Sequence, residues 1–461
     1  MNTFGVRSFS LPESEIDNFK HKSLLMLILD SSGKTLPWPL WKKMLFRFFF
    51  VFMALYITPW TWLDRIPKVG LVTKYYYDLM NWAVRFTNEK LFHVKKVLVP
   101  LSGSGDTSWG WAQLWMILTI ALVACVTWSV IDRKRKSYNK LDYWLCVFTR
   151  YYIAMFAFLY GIIKLFAFQM PFPNPSLLAT SLGDFLPMRL SWMFMGYSVP
   201  YQVFSGAMEA LAGLLLLSRR TATFGTMVAT GVFINVMMMN LSYDIPVKIF
   251  SMRLVLFCLV LLAHEYKRIF AFFILNKTAE AGNIYNVQFT KKWMRITRVV
   301  LKTVFIGVAV VWFFYTTLDR YKQFHATPPP GPIAQGIYDV ETYILNRDTI
   351  PPLITDTLRW QDMIFENNFG SIKTSDTLFW IRYRRGYFNY KVDEAYRTIE
   401  FRRPGTDPRF IFSLDYKVPD SNTVLLWGKV GNDSLFVTLK KSKRHFQLTE
   451  RQFHWLSETN R

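Results

Sequence analysis

Eight polar side chains stand in or at the ends of apolar runs between positions 150 and 253: Arg150, Lys164, Glu209, Asn235, Asn240, Asp244, Lys248 and Arg253. The runs read RYYIAMFAFLYGIIKLFAFQMP, VFSGAMEALAGLLLLSRRTATFG and FINVMMMNLSYDIPVKIFSMR. An ionisable group is costly in lipid and usually faces a bundle interior or a wet cavity. As a catalytic set, Lys164 and Arg253 would hold an anionic or carbonyl oxygen, and Glu209 or Asp244 would move protons. Arg150, Asn235, Asn240 and Lys248 would bind substrate, with Tyr160 and Trp192 lining the approach. The competing reading is adhesion. Polar side chains can hold helices together at about 1 kcal/mol each with no substrate at all, and Lys164 and Lys248 can extend to the headgroups. So many ionisable groups favour a cavity over glue alone.

A second stretch, HVKKVLVPLSGSGDTSWGW from His93 to Trp111, is rich in turn formers. Asp106 and Thr107 could lie over the outer mouth of such a cavity, with His93 nearby as a proton carrier. Equally, one of them could simply cap the helix that follows. No strand precedes the Gly-Ser-Gly and no Lys follows it, so it is not a nucleotide loop. His264-Glu265 lacks the second histidine of a zinc helix. The three cysteines, Cys125, Cys146 and Cys258, lie in apolar runs without metal-ligand spacing and read as buried, inert thiols. No metal site is expected.

The elements that must position these groups are membrane helices. The chain has 461 residues, 52% hydrophobic and 18% aromatic, more than a soluble core uses. Several runs approach the ~20 apolar residues a span requires. We expect a polytopic bundle of about seven spans, near 44–61, 109–131, 141–168, 201–218, 221–241, 247–265 and 299–317. Basic clusters fall before the first span and after the second, fourth and sixth. That alternation puts the N-terminus in the cytoplasm and the C-terminal domain outside. Residues 75–92 read as an amphipathic surface helix, with a re-entrant or eighth span as the alternative. SLLMLIL, from Ser23 to Leu29, is too short for a signal peptide and lacks a cleavage site.

Four regions follow: a cytoplasmic segment 1–40, a helical domain 41–325, a Pro-rich linker 326–336 and a β domain 337–461. The last shows short alternating strands such as TLFWIRYR and RFIFSLDYKV. It should form an all-β antiparallel sandwich or small barrel of about eight strands. VLLWGKVGNDSLFVTLKK is expected to be a hairpin turning at Gly431-Asn432-Asp433. The Phe-His-Trp cluster of the tail is expected to plug one end. The formal charge of +23 suggests nucleic acid at first sight. Residues 337–461, however, hold 19 Lys+Arg against 16 Asp+Glu, so 19 − 16 = +3. The remaining charge flanks the apolar runs, where it meets anionic lipid. No nucleic-acid partner is expected.

Within residues 145–270 the chain resembles the DoxX family of small four-helix membrane proteins. The resemblance rests on Arg150 followed by Tyr160-Gly161-Ile162-Ile163-Lys164, on Gly206, Glu209 and Gly213 leading into LLLLSRRTATFG, and on the tightly turned helix pair after it. It implies a four-helix core and membrane-associated redox work, in some members with thiosulfate as donor and quinone as acceptor. A more distant architectural likeness is to the horizontally transferred transmembrane domain of vitamin K-dependent gamma-carboxylase. That domain also joins a helical bundle to an outer β-rich part, but its catalytic residues have no counterparts here.

The expectation is therefore an inner-membrane, multi-pass protein, either a quinone-linked oxidoreductase or a lipid-substrate enzyme, with quinone as the candidate cofactor. The alternative is a non-catalytic scaffold presenting a periplasmic β domain to an envelope protein. A transporter is the weaker third, since no broken-helix repeat pair is evident.

Overall fold

The computed structural model describes residues 37–58, 69–100, 105–278, 289–326, 331–353, 356–376, 379, 382–405, 408–451 and 453–456. The expected cytoplasmic segment and most of the Pro-rich linker's proline run therefore lie outside the described residues. The chain divides into two compact units. One holds residues up to Phe166 together with Val203–Thr317; the other holds Ala167–Gln202 together with Leu318–Arg461.

In chain order the main helices are α1 (Leu40–Ile57), α2 (Val69–Thr87), α3 (Ser108–Ile131), α4 (Asn139–Leu165), α5 (Pro175–Leu178), α6 (Pro187–Tyr197) and α7 (Val199–Leu216). They continue with α8 (Ala222–Ser242), α9 (Lys248–His264), α10 (Tyr266–Phe273), α11 (Lys292–Ile306) and α12 (Phe313–His325). Each expected span coincides with a helix. Among the described residues, five helices are long and apolar enough to cross a membrane: α3, α4, α7, α8 and the continuous Lys292–His325. A sixth is added if α9 and α10, bent by 77°, count as one span. α1 carries Lys42, Lys43 and Arg47 within its 18 residues. The expected surface helix at 75–92 is α2, extended by a π turn, Asn88–Phe92.

The helical unit is held by apolar packing and by one satisfied polar knot. Arg47, in the second turn of α1, is buried at 1% exposure. Its guanidinium donates to Tyr138 Oη at 2.8 and 3.0 Å, to Ser129 Oγ at 2.7 Å and to the Asp132 carbonyl at 3.1 Å. Tyr138 in turn donates to Asp132 Oδ2. A buried charge persists where its donors are satisfied in this way. Cys125 and Cys258 are buried as expected, but Cys146 is only half-buried.

The second unit is built on a closed antiparallel barrel. Its strands are β1 (Gly336–Leu345), β2 (Asp348–Thr349), β3 (Trp360–Phe365), β4 (Phe369–Thr374), β5 (Arg385–Asp393), β6 (Thr398–Arg402), β7 (Phe410–Asp420), β8 (Thr423–Val430) and β9 (Asp433–Lys441). The sheet runs in the order β2-β1-β3-β4-β5-β6-β7-β8-β9, and β1 also pairs with β9, from Tyr338↔Lys441 to Leu345↔Leu435. That pairing makes eight strands a barrel, which removes the sheet's long edges. Alternate residues fill the interior, among them Met363, Phe365, Ile372, Phe388, Phe401, Phe412 and Val437. The β8–β9 hairpin turns where expected, with Val430 opposite Asp433 and Gly431 at φ +66° between them.

Residues 167–202, expected as a connection within the helical domain, belong with the barrel. Glu366 accepts from Ser176 N at 3.1 Å and Ser176 Oγ at 2.5 Å, and Ser371 Oγ donates to Ser176 Oγ at 2.8 Å. Arg385 donates to Ser371 at 2.8 Å and pairs with Asp362, both side chains at 1% exposure. Arg189 donates to Tyr383 Oη at 3.0 Å and also lies over the Trp192 ring. Gln202 clamps Met170 through both its carbonyl and its amide. These polar groups lie on the outward-facing positions of β3–β5, so the segment covers that part of the barrel wall. The tail does not plug an end: Phe453, Trp455 and Leu456 are 77–91% exposed.

Candidate functional site

Lys164 and Glu209 meet because two helices touch at glycine. A Cβ on Gly206 would fall 2.7 Å from the Gly161 carbonyl oxygen and 2.7 Å from Lys164 Cβ. A Cβ on Gly161 would fall 2.9 Å from the Gly206 carbonyl oxygen. Small residues let spans approach this closely. Lys164, near the end of α4, thereby pairs with Glu209 on α7, with side chains 5% and 1% exposed. The second carboxylate oxygen of Glu209 has no hydrogen-bond partner.

Tyr160, one turn before Lys164, links this pair to a cavity. Its hydroxyl lies within electrostatic reach of both Glu209 and Arg253. The cavity holds about 750 Å³, within the range of small-molecule sites. Its apolar walls include Leu55, Met80, Trp109, Ile249 and Phe250. Its polar lining includes Tyr56, Tyr76, Tyr77, Asn81, Arg85, Gln113, Tyr160 and Arg253. Among the described residues, two arginines and no carboxylate line it. Arg253 sits 4.4 Å over the Tyr56 ring and 5.2 Å from the Phe250 ring. Its Nε is buried without a hydrogen-bond partner, and the rest of the guanidinium lies beside the Tyr56 and Tyr152 hydroxyls. No ion pair among the described residues involves Arg253. Unspent donors in an aromatic pocket suit a ligand with an acidic or carbonyl oxygen and an apolar body.

The other expected site residues separate from this group. Asp244 is exposed, has φ +50°, and pairs with Lys248 at 2.6 Å on the surface, so it is not placed to move protons at Arg253. The pair forms because Asp244 stands in the tight turn after α8 and Lys248 opens α9. Asn235 is exposed on α8. Asn240 is buried at 6% exposure and donates to the Val247 carbonyl at 3.4 Å, closing the turn between α8 and α9. Arg150 lies 14 residues before Lys164 on one helix, about 21 Å along its axis. Its guanidinium rests against Tyr151.

His93 caps the π turn with φ +49° and is exposed. Thr107 caps α3, accepting from Gly110 N at 3.3 Å. Asp106 caps a different helix: its two oxygens accept from Lys248 N at 2.7 Å and Ile249 N at 3.1 Å, at the start of α9. Thr107 thus follows the capping alternative, whereas Asp106 caps a helix 142 positions away, which neither reading anticipated.

Tyr76, Tyr77, Asn81 and Arg85 were not anticipated as cavity residues. They share α2, whose other face exposes Tyr75, Leu79, Trp82 and Phe86. The i, i+1, i+5, i+9 spacing of the first set, one helical face, was a usable signal, masked by the aromatic content of both faces.

No protein-family model matches the chain. No solved structure matches it. The uncharacterized protein YwoB of Bacillus subtilis (strain 168) is 32% identical to it over 124 residues, which make up 27% of this chain and 79% of YwoB. With that identity over most of the relative's length, this chain belongs to the family of the Bacillus protein YwoB.

Proposed function

We propose that the helical unit is a membrane enzyme of the quinone-linked or lipid-substrate type, and that its ligand sits in the Arg253 cavity. The observation behind this reading is Arg253 itself. Among the described residues it is a cation without a carboxylate partner, in a pocket of about 750 Å³ walled by tyrosines and apolar side chains. The ligand's oxygen meets the guanidinium and its apolar body lies against Trp109 and Phe250. Tyr160 donates toward that oxygen. Glu209, neutralised by Lys164 and coupled to Tyr160, returns the proton. The resemblance to DoxX proteins favours a quinone, and the expected topology puts the cavity in the outer half of the bundle of a cell membrane protein.

The test is mass spectrometry of solvent extracts from protein purified in mild detergent. Wild type should release one defined quinone or lipid, and Arg253→Gln should lose it about tenfold or more, the cost of one charge-assisted hydrogen bond. Asn235→Ala, on an exposed position, should retain it. If wild type yields no defined molecule, or Arg253→Gln keeps it, the enzyme reading falls and a scaffold presenting the barrel to an envelope partner takes its place.

A further inference from the structure

Asp142 and Cys146 lie four residues apart near the start of α4, so they share one face on adjacent turns. His264 ends α9 and reaches across to both. Its Nε2 is 3.0 Å from Asp142 Oδ1 and 3.6 Å from Cys146 Sγ. The three atoms lie within 4.8 Å of one another. His264 Nδ1 is 2.8 Å from the Val260 carbonyl oxygen. A carbonyl has no proton to give, so Nδ1 is the donor and Nε2 faces the carboxylate and the thiol. This is the usual outer-shell arrangement of a metal-binding histidine.

We infer that Asp142, Cys146 and His264 form a binding site for a divalent zinc-class ion that ties α4 to α9. The distances fit. Bonds of about 2.0 Å to N and O and about 2.3 Å to S, at tetrahedral angles, place N and O about 3.3 Å apart and N and S about 3.5 Å apart. The charges fit as well. A carboxylate and a thiolate together carry two negative charges that a divalent cation cancels, whereas an imidazolium cancels one. The ligand types exclude the hard ions: one thiolate, one imidazole and one carboxylate suit zinc or cobalt rather than magnesium or calcium. The side chains of His264 and Asp142 are 27% and 18% exposed, which leaves the remaining coordination position open to water. None of these residues lines the Arg253 cavity, so the site stands apart from the proposed ligand pocket.

The sequence hid this site because His264 lies 118 positions from Cys146, and a single Asp–Cys pair at i, i+4 on an apolar helix does not mark a metal by itself. The alternative is a plain imidazolium–carboxylate pair with Cys146 as a bystander.

Full-length protein without a polyhistidine tag, purified in mild detergent, decides between them. Elemental analysis should find about one zinc per chain, as in sites with three protein ligands and a water. Cobalt added after metal removal should give a near-ultraviolet thiolate-to-cobalt band. Cys146→Ala should abolish the band, and His264→Gln should abolish stoichiometric zinc. Asp142→Asn should keep the band at weaker affinity. Folded wild type with neither zinc nor a cobalt band overturns the site. So does metal retained unchanged in both Cys146→Ala and His264→Gln. The wild-type cobalt spectrum carries the test even where a variant fails to fold.

Discussion

Lys164 and Glu209 show what a buried residue pair requires. Each alone would leave an uncompensated charge, which costs about 3–5 kcal/mol when a partner is removed. Both lie in apolar runs, so a cationic partner for Glu209 was legible, but Lys164 and Arg253 were equal candidates for it, and Lys164 takes the place. Asn235 and Asp244 looked equivalent in sequence but are exposed, because depth along a span says nothing about which way a side chain points. In the barrel unit, Glu366 offers a pH test. Burial pushes its carboxyl above the usual range, while hydrogen bonds from Ser176 and the nearby Arg385 pull it back. A carboxyl with a raised folded pKa keeps its proton longer in the folded state than in the unfolded chain. Its contribution is therefore complete below the unfolded value, about 4.3, and is lost as pH rises through the raised folded value. Glu366→Gln removes that titration. The variant should match wild type below the window and gain on it as pH rises, in thermal unfolding followed by the β-sheet circular dichroism signal. Parallel pH profiles for the two proteins would refute the assignment.

Among elements, the contact between α4 and α7 is the one that positions the site. Gly206→Ala puts a methyl group 2.7–2.9 Å from the Gly161 carbonyl oxygen, Lys164 Cβ and the Leu165 nitrogen, and none of these atoms can yield cheaply. The helices must part, at about 1–3 kcal/mol for overpacking, and the Lys164–Glu209 pair with them. Gly231→Ala on α8 is the control, since nothing lies within 4 Å of its added Cβ. It should be neutral, or stabilising by up to ~1 kcal/mol through helix propensity. Melting temperatures in detergent should move down for the first and hold or rise for the second. Equal melting of Gly206→Ala and wild type would show that the contact does not hold the helices. The helices themselves were legible from apolar length, and most barrel strands from alternation and turn residues; TLFWIRYR was not, since its described residues form a turn and an isolated bridge before β5. The cavity was not, because α2 contributes one wall and its polar and aromatic residues look alike on both faces. Nor was the Asp106 cap, since a side chain that caps a helix 142 positions away leaves no local pattern.

For the whole molecule, the barrel is not complete within the C-terminal stretch that builds it. Asp362, Ile364 and Arg385 face outward from β3 and β5, yet each is 1% exposed or less. A fragment 331–461 on its own should therefore unfold at a lower urea concentration than the same fragment linked to residues 170–198. It should also self-associate more, since it bares an apolar and unsatisfied wall. Identical midpoints for the two would show the cover to be dispensable. The cover also imposes an order in time. Ser176 meets Glu366 across 190 positions, and Gln202 precedes the first barrel strand by 336 − 202 = 134 residues. At synthesis rates of about 5–20 residues per second, about 7 to 27 s pass between them. Throughout that interval the early segment has left the ribosome while its wall has not been made. Assembly of this chain is thus a problem of waiting, and whatever shelters residues 167–202 in the meantime sets how much of it matures.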